Sequence, residues 1–166
     1  MNDILNKVKT EIYDTCGLQL SDLQTEPEGQ EYDACRFELD GLKIISRTAK
    51  ITPKKTGQFV TFWKRNKNGI TEPFSENDPV DFFVIHVLKE NKLGQFVFPK
   101  SVLKNQGILR TDKKDGKRGF RVYPVWDTAN NKQAEKTQKW QLDYFFRITD
   151  TTELDRVKEL YTKPTY

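Results

Sequence analysis

The sequence predicts an α+β fold: a central mixed, largely antiparallel sheet with flanking helices. Three observations carry this. Short runs between residues 35 and 65 are rich in β-branched and aromatic residues and bounded by turn signals. Residues 80–88, VDFFVIHVL, form the most hydrophobic run, of a length that suits a strand buried on both faces. Helical spacing appears near both ends, in Leu5, Val8 and Ile12 and again in Leu154, Val157, Leu160 and Tyr161. The 166 residues suit one domain over 1–166, and 12% aromatics argue for a packed core despite 31% charged residues.

In chain order, Asn2 or Asp3 caps the first helix and Gly17 ends it. Residues 21–33 read as a polar connection with Pro27 and Gly29. Residues 35–39, 42–51 and 58–65 read as three sequential antiparallel strands. Asp40-Gly41 is a two-residue hairpin signal, since both residues tolerate positive φ, and Pro53 and Gly57 bracket the next reversal. Residues 66–79 read as loop, and 80–88 as the central strand. Asn91 and Gly94 flank a turn into a strand over 95–98, and Pro99 opens a helix over 100–106 that Gly107 closes. A basic loop over 110–119 precedes a strand at 120–123. A helix over 131–140, a strand within 142–148 and a helix over 152–161, capped by Asp150 or Thr151, complete the chain.

Charge is segregated, although the net excess is only +4. From 43 to 65 the chain carries Lys43, Arg47, Lys50, Lys54, Lys55, Lys64 and Arg65 with no acid between them. Residues 26–40 hold Glu26, Glu28, Glu31, Asp33, Glu38 and Asp40 against Arg36 alone. This predicts a positive face apart from an acidic patch. Three basic groups are candidates for phosphate contact. The first is Arg47, Lys50, Lys54, Lys64, Arg65 and Lys67 on the basic strands. The second is Lys113, Lys114, Lys117, Arg118 and Arg121 in the loop with Gly116 and Gly119, and the third is Lys132 and Lys136 on the helix that ends near Lys139 and Trp140. The loop lacks the GxxxxGK[ST] pattern of a nucleotide-binding P-loop.

Other chemistries are poorly provided for. Cys16 and Cys35 are isolated, and His86 is the one histidine, so no zinc cluster can form and any triad would depend on His86. Its place in the hydrophobic run reads as a core histidine. The N-terminus lacks the apolar core of a signal peptide, and no run approaches membrane-spanning length, so the protein reads as cytoplasmic.

The phrases EPEGQEYDACRFEL, AKITPKKTGQFVTFWKR, DPVDFFVIHV, GQFVFPKSVL, GKRGFRVYPVWD and NKQAEKTQKWQLDYFF, taken together, resemble the MepB family. These are small bacterial proteins named for a gene beside a multidrug efflux pump. The likeness runs in order from Glu26 to Phe146 and implies a cytosolic bacterial protein tied to drug-resistance or stress loci. The order of elements is also similar to the restriction-endonuclease-like PD-(D/E)xK fold. Such nucleases need carboxylates on a divalent metal and a lysine near the attacking water, with D/E-x-K on one strand face. Here Lys64 has Phe62 two residues before it, and the preceding strand offers Arg47, Thr48 and Lys50 where an aspartate is required.

The sequence therefore favours a nucleic-acid-binding protein, with DNA ahead of RNA, on a nuclease-like scaffold whose metal site is degenerate. It implies no cofactor, no membrane partner and no obligate protein partner. One alternative is a Mg²⁺-dependent nuclease with a displaced site drawn from Glu28 or Glu31, Glu38 and Asp81, with Lys50 or Lys64 as the basic group. The other is an accessory protein whose acidic patch docks on a basic partner while its aromatic loops take a small ligand.

Overall fold

The computed structural model describes residues 1–162; positions 163–166, the tail of the expected 1–166 domain, lie outside the described residues. Asp3–Val8, Lys9–Tyr13 and Asp14–Cys16 run on as one helix, α1, with a π-helical middle. Asn2 caps it by accepting the Leu5 N–H at 2.7 Å, and Gly17 ends it in the left-handed region. Then follow β1 (Leu20–Thr25), β2 (Cys35–Leu39), β3 (Leu42–Thr48), β4 (Lys50–Ile51), β5 (Gln58–Thr61), β6 (Trp63–Arg65) and β7 (Thr71–Pro73). The second half holds β8 (Phe82–Lys89), β9 (Lys92–Pro99), α2 (Lys100–Asn105), β10 (Gly119–Val122), α3 (Lys132–Leu142), β11 (Phe145–Arg147) and α4 (Leu154–Leu160).

The main sheet has the order β1-β2-β3-β8-β9-β11, with β3 and β8 parallel and every other pair antiparallel. The α+β class and the mixed sheet are as the sequence predicts. Strand β8 lies at the centre, and alternation sends its side chains to two cores. Phe82 and Val84 join Leu5, Val8, Ile12 and Val157 beneath α1 and α4. Phe83, Ile85 and Val87 join Val60, Phe62, Phe120 and Leu103 on the other face.

Several expected elements differ. Strand β1 occupies part of the expected connection: a register shift between Ser21 and Gln24, with Asp22 at φ 51°, breaks the period-2 pattern and leaves mostly polar residues on it. The strand expected over 42–51 breaks at Ala49: β3 pairs with β2 and with β8, and only Lys50–Ile51 pairs with the 58–65 stretch, antiparallel as expected. The chain instead leaves this sheet at Ala49 and forms a small second sheet, β10-β5-β4. Phe62 interrupts the expected 58–65 strand, donating its N–H to the Arg118 carbonyl, and β6 pairs with β7 inside the expected 66–79 loop. The last helix begins at Leu154, after a turn in which Thr149 N–H donates to Thr152 Oγ1.

Gly94 lies inside β9 rather than beside its turn, because the Phe145 ring occupies the space where a side chain would stand. A Cβ there would lie 2.5 Å from two ring carbons. Phe145 also packs on Phe96 at 4.7 Å between centroids. Gly94→Ala is therefore expected to lower stability by about 1–3 kcal/mol through overpacking, read from the urea unfolding midpoint; an unchanged midpoint would contradict the close approach.

A closed ring of hydrogen bonds ties α1 and the residue after α4 to the sheet. Tyr161 Oη donates to Gln95 Oε1 at 2.6 Å, and Gln95 Nε2 donates to Tyr13 Oη at 3.1 Å. The Tyr13 hydroxyl, 2.7 Å from Tyr161 Oη, donates back to it. The second amide proton of Gln95 reaches His86 Nε2 at 2.8 Å, which makes that nitrogen the acceptor. The expected core role of His86 is met, with 1% of the residue exposed.

Candidate nucleic-acid interface

The basic strands do not form a bare positive face, because the acids expected as a separate patch fold back onto them. Arg47 is 1% exposed, pairs with Glu26 Oε2 at 2.9 Å, donates to the Ser46 carbonyl and lies over the Phe74 ring. It is an internal residue, which corrects its place among surface phosphate ligands. Lys50 lies 3.6 Å from Glu31 and over the Tyr32 ring, Lys64 pairs with Asp78 at 2.5 Å and Glu72 at 3.5 Å, and Arg65 pairs with Glu28 at 2.8 Å. The neutralising acids come from 26–31 and 72–78, so spacing along the 43–65 stretch could not reveal them. Lys54 and Lys67 remain exposed and without an ion pair among the described residues.

The displaced metal site does not assemble. Glu28 is held by Arg65, Glu31 by Lys50, and Asp81 Oδ2 accepts the Lys43 N–H at 2.8 Å. Glu38 is raised above the usual carboxylate range, first by a hydrogen bond with Asp22. Among the described residues no group of three or more His, Cys, Asp and Glu side chains is able to hold a metal ion. Phe62, where the D/E-x-K pattern needs a carboxylate, is fully buried against Phe74 and Phe83.

Two other basic segments, about twenty residues apart in sequence, do meet. A groove of about 970 Å³ runs between α3 and the β5-β10 side of the small sheet. Lys117, Arg121, Lys136 and Lys139 line it, opposed by Asp143 alone among the lining residues. Helix α3 is held there by Gln141, whose Oε1 accepts the Tyr123 N–H at 2.8 Å and whose Nε2 donates to the Arg121 carbonyl at 3.0 Å. The amide thereby satisfies backbone groups as a neighbouring strand would. Gln138 Nε2 donates to the Pro124 and Asp127 carbonyls, both at 2.9 Å, fixing the same helix to the next loop. Asn131 caps α3 by accepting the Ala134 N–H.

The 110–119 loop is built rather than slack. Thr111 Oγ1 accepts the amides of Lys113 and Lys114, Lys117 N–H donates to the Ile108 carbonyl, and Gly116 at φ 78° lies too close to Arg110 for a Cβ. Lys113, Lys114 and Lys117 are exposed, and Arg118 is exposed with its guanidinium on the Thr71 carbonyl. Arg121 donates to Thr52 Oγ1 and to the Thr56 and Gly57 carbonyls, so it holds the 52–57 turn as well as lining the groove. Lys132 and Lys136 are exposed on α3. Lys117, Lys136 and Lys139 have no ion pair among the described residues. Two aromatic lining residues, Phe59 and Tyr123, stand in the sequence as unremarked strand residues; their rings pack against Gly119 and Gly57.

No described helix is long and apolar enough to cross a membrane. None of the curated proteins matches the chain. A bacterial homing endonuclease, I-Ssp6803I, aligns with 78% of this chain and 81% of its own at 16% identity, with a TM-score of 0.45. That likeness is too distant to carry any statement about chemistry. The crystal structure of MepB matches at 38% identity over 89% of this chain and 97% of that one, with a TM-score of 0.76. Residues 26–147 match the MepB-like family. With most of the chain covered by both findings, the protein belongs to the MepB-like family.

Proposed function

We propose that the protein binds nucleic acid, DNA in the first instance, in the groove between α3 and β10, and does so without cleaving it. The observation that carries this reading is the meeting of Lys117 with Lys136 and Lys139, from segments about twenty residues apart, in one groove with a single opposing acid. Unpaired lysines lose little by exchanging water for phosphate and release counterions from the polyanion. Lys50, Lys64 and Arg65 of the basic strands are already matched by Glu31, by Glu72 with Asp78, and by Glu28, so they belong to the scaffold. A binder rather than a nuclease is supported by Phe62 in the core and by the dispersal of Glu28, Glu38 and Asp81.

The reading orders two variants. Lys136→Glu with Lys139→Glu is expected to weaken DNA binding in a gel-shift titration by about tenfold or more at moderate salt. Lys64→Glu is expected to change binding less than about twofold, because that lysine already serves Asp78 and Glu72. The reverse order of effects would move the interface to the strands.

A further inference from the structure

We propose that the strand taken by this groove is single, with unpaired bases stacking on the rings of Phe59 and Tyr123; this rests on the groove being the phosphate-binding surface. The argument begins with register. Across the small sheet Lys50 pairs with Phe59 and Phe59 with Arg121, so the three side chains share one face. The alternate residues Val60, Phe120 and Val122 are buried in the core beneath. Phe59 and its neighbour Tyr123 therefore belong to the outward face, where both are half-buried and line the groove.

Apolar rings on the outer face of a small sheet require a reason, and glycines show how they are held. A Cβ on Gly119 would lie 2.5 Å from the Phe59 Cζ, and one on Gly57 would lie 2.7 Å from two ring carbons of Tyr123. Each ring thus packs against bare glycine backbone at the groove. The core rings pair with one another, as Phe62 does with Phe120 and Phe98 with Trp140. Phe59 and Tyr123 have no such ring partner among the described residues.

Spacing selects the ligand. Tyr123 stands diagonally from Phe59, two positions beyond Arg121, while the Phe59 ring reaches the other way to Gly119, so the rings lie farther apart than the roughly 7–8 Å of a diagonal pair. That is more than twice the roughly 3.4 Å rise between stacked bases of a duplex strand. Neighbouring bases in a duplex cannot use both rings, and their faces are hidden in the stack. An extended strand with splayed bases can, while its phosphates follow Lys136 and Lys139 along the groove wall. Ring stacking combined with flanking cations is the general chemistry of single-strand binding without strong sequence preference.

The test is fluorescence anisotropy of the full chain with a labelled oligothymidine 12-mer and with a labelled hairpin duplex, at one low salt concentration without divalent metal. The 12-mer is expected to bind at least about tenfold tighter than the hairpin. Phe59→Leu and Tyr123→Leu are each expected to weaken the 12-mer by about five- to twentyfold and to leave hairpin binding unchanged. Phe59→Tyr, which keeps the flat ring, is expected to bind as the parent does, so a loss through misfolding is separated from a loss of stacking. Equal or tighter hairpin binding overturns the proposal, as do leucine variants that bind the 12-mer unaltered. In either case lysine-dependent binding leaves the groove reading standing. Absence of binding to both probes defeats both.

Discussion

Glu26→Ala is expected to lower the stability of the fold by about 3–5 kcal/mol, the cost of leaving a buried charge without its partner. Arg47 is enclosed between β3 and the second core, and burial pulls its guanidinium below the ordinary arginine range while Glu26 opposes that shift. The residue stays charged, since the normal value lies so high, and Glu26 at 2.9 Å is the carboxylate that matches it. Removing both groups in Glu26→Ala with Arg47→Met is expected to recover most of the loss, because a thioether chain satisfies the apolar surroundings that include Phe74. Urea unfolding of the two variants and the parent checks this. A loss below about 1 kcal/mol in the single variant, or a double variant no better than the single, would contradict the account of the pair.

Acid is expected to destabilise the protein well before its carboxylates titrate in bulk. His86 is pushed down to about 4 by burial, against about 6.5 in the unfolded chain. Between those values the unfolded chain binds a proton that the folded one does not, so stability rises with pH across the window. The contribution is complete above about pH 6.5 and is lost as the pH falls towards 4. From pH 7 to pH 5 the loss amounts to about 2 kcal/mol. The geometry explains why the fold refuses the proton. Gln95 Nε2 donates to His86 Nε2, and turning its amide over would require the hydrogen bonds of Tyr13 and Tyr161 to reverse with it. Protonation would set donor against donor. The parent's unfolding midpoint is expected to fall between pH 7 and 5, and that of His86→Gln to fall by distinctly less. Equal drops in the two proteins would place the sensitivity elsewhere.

What was legible in the sequence followed from local rules. The 80–88 run, the Asp40-Gly41 hairpin with φ 51° and 81°, the Asn2 cap and the core histidine were all readable from composition and spacing. Strand β1 was not, because a bulge and polar residues erase its alternation. The parallel pairing of β3 with β8 was not either, since nothing in the residues of β3 distinguishes a hairpin partner from a crossover one. The site showed the same division. Uninterrupted positive charge from 43 to 65 was visible, but its neutralisation depends on carboxylates brought back by tertiary folding. The convergence of the 113–121 loop with α3 depends on the Gln141 amide, which reads in sequence as one more polar helix residue.

The groove account is tested most directly by a salt series. Anisotropy of a labelled single strand would be followed from low to moderate salt without divalent metal, for the parent and for Lys117→Gln, Lys136→Gln, Lys139→Gln combined. The parent is expected to lose affinity linearly in log–log form, and the triple variant to bind more weakly with a slope shallower by about 2, each strand phosphate contact carrying about 0.7. Equal slopes in the two proteins, or no binding by the parent at low salt, would contradict the placement of phosphates in the groove.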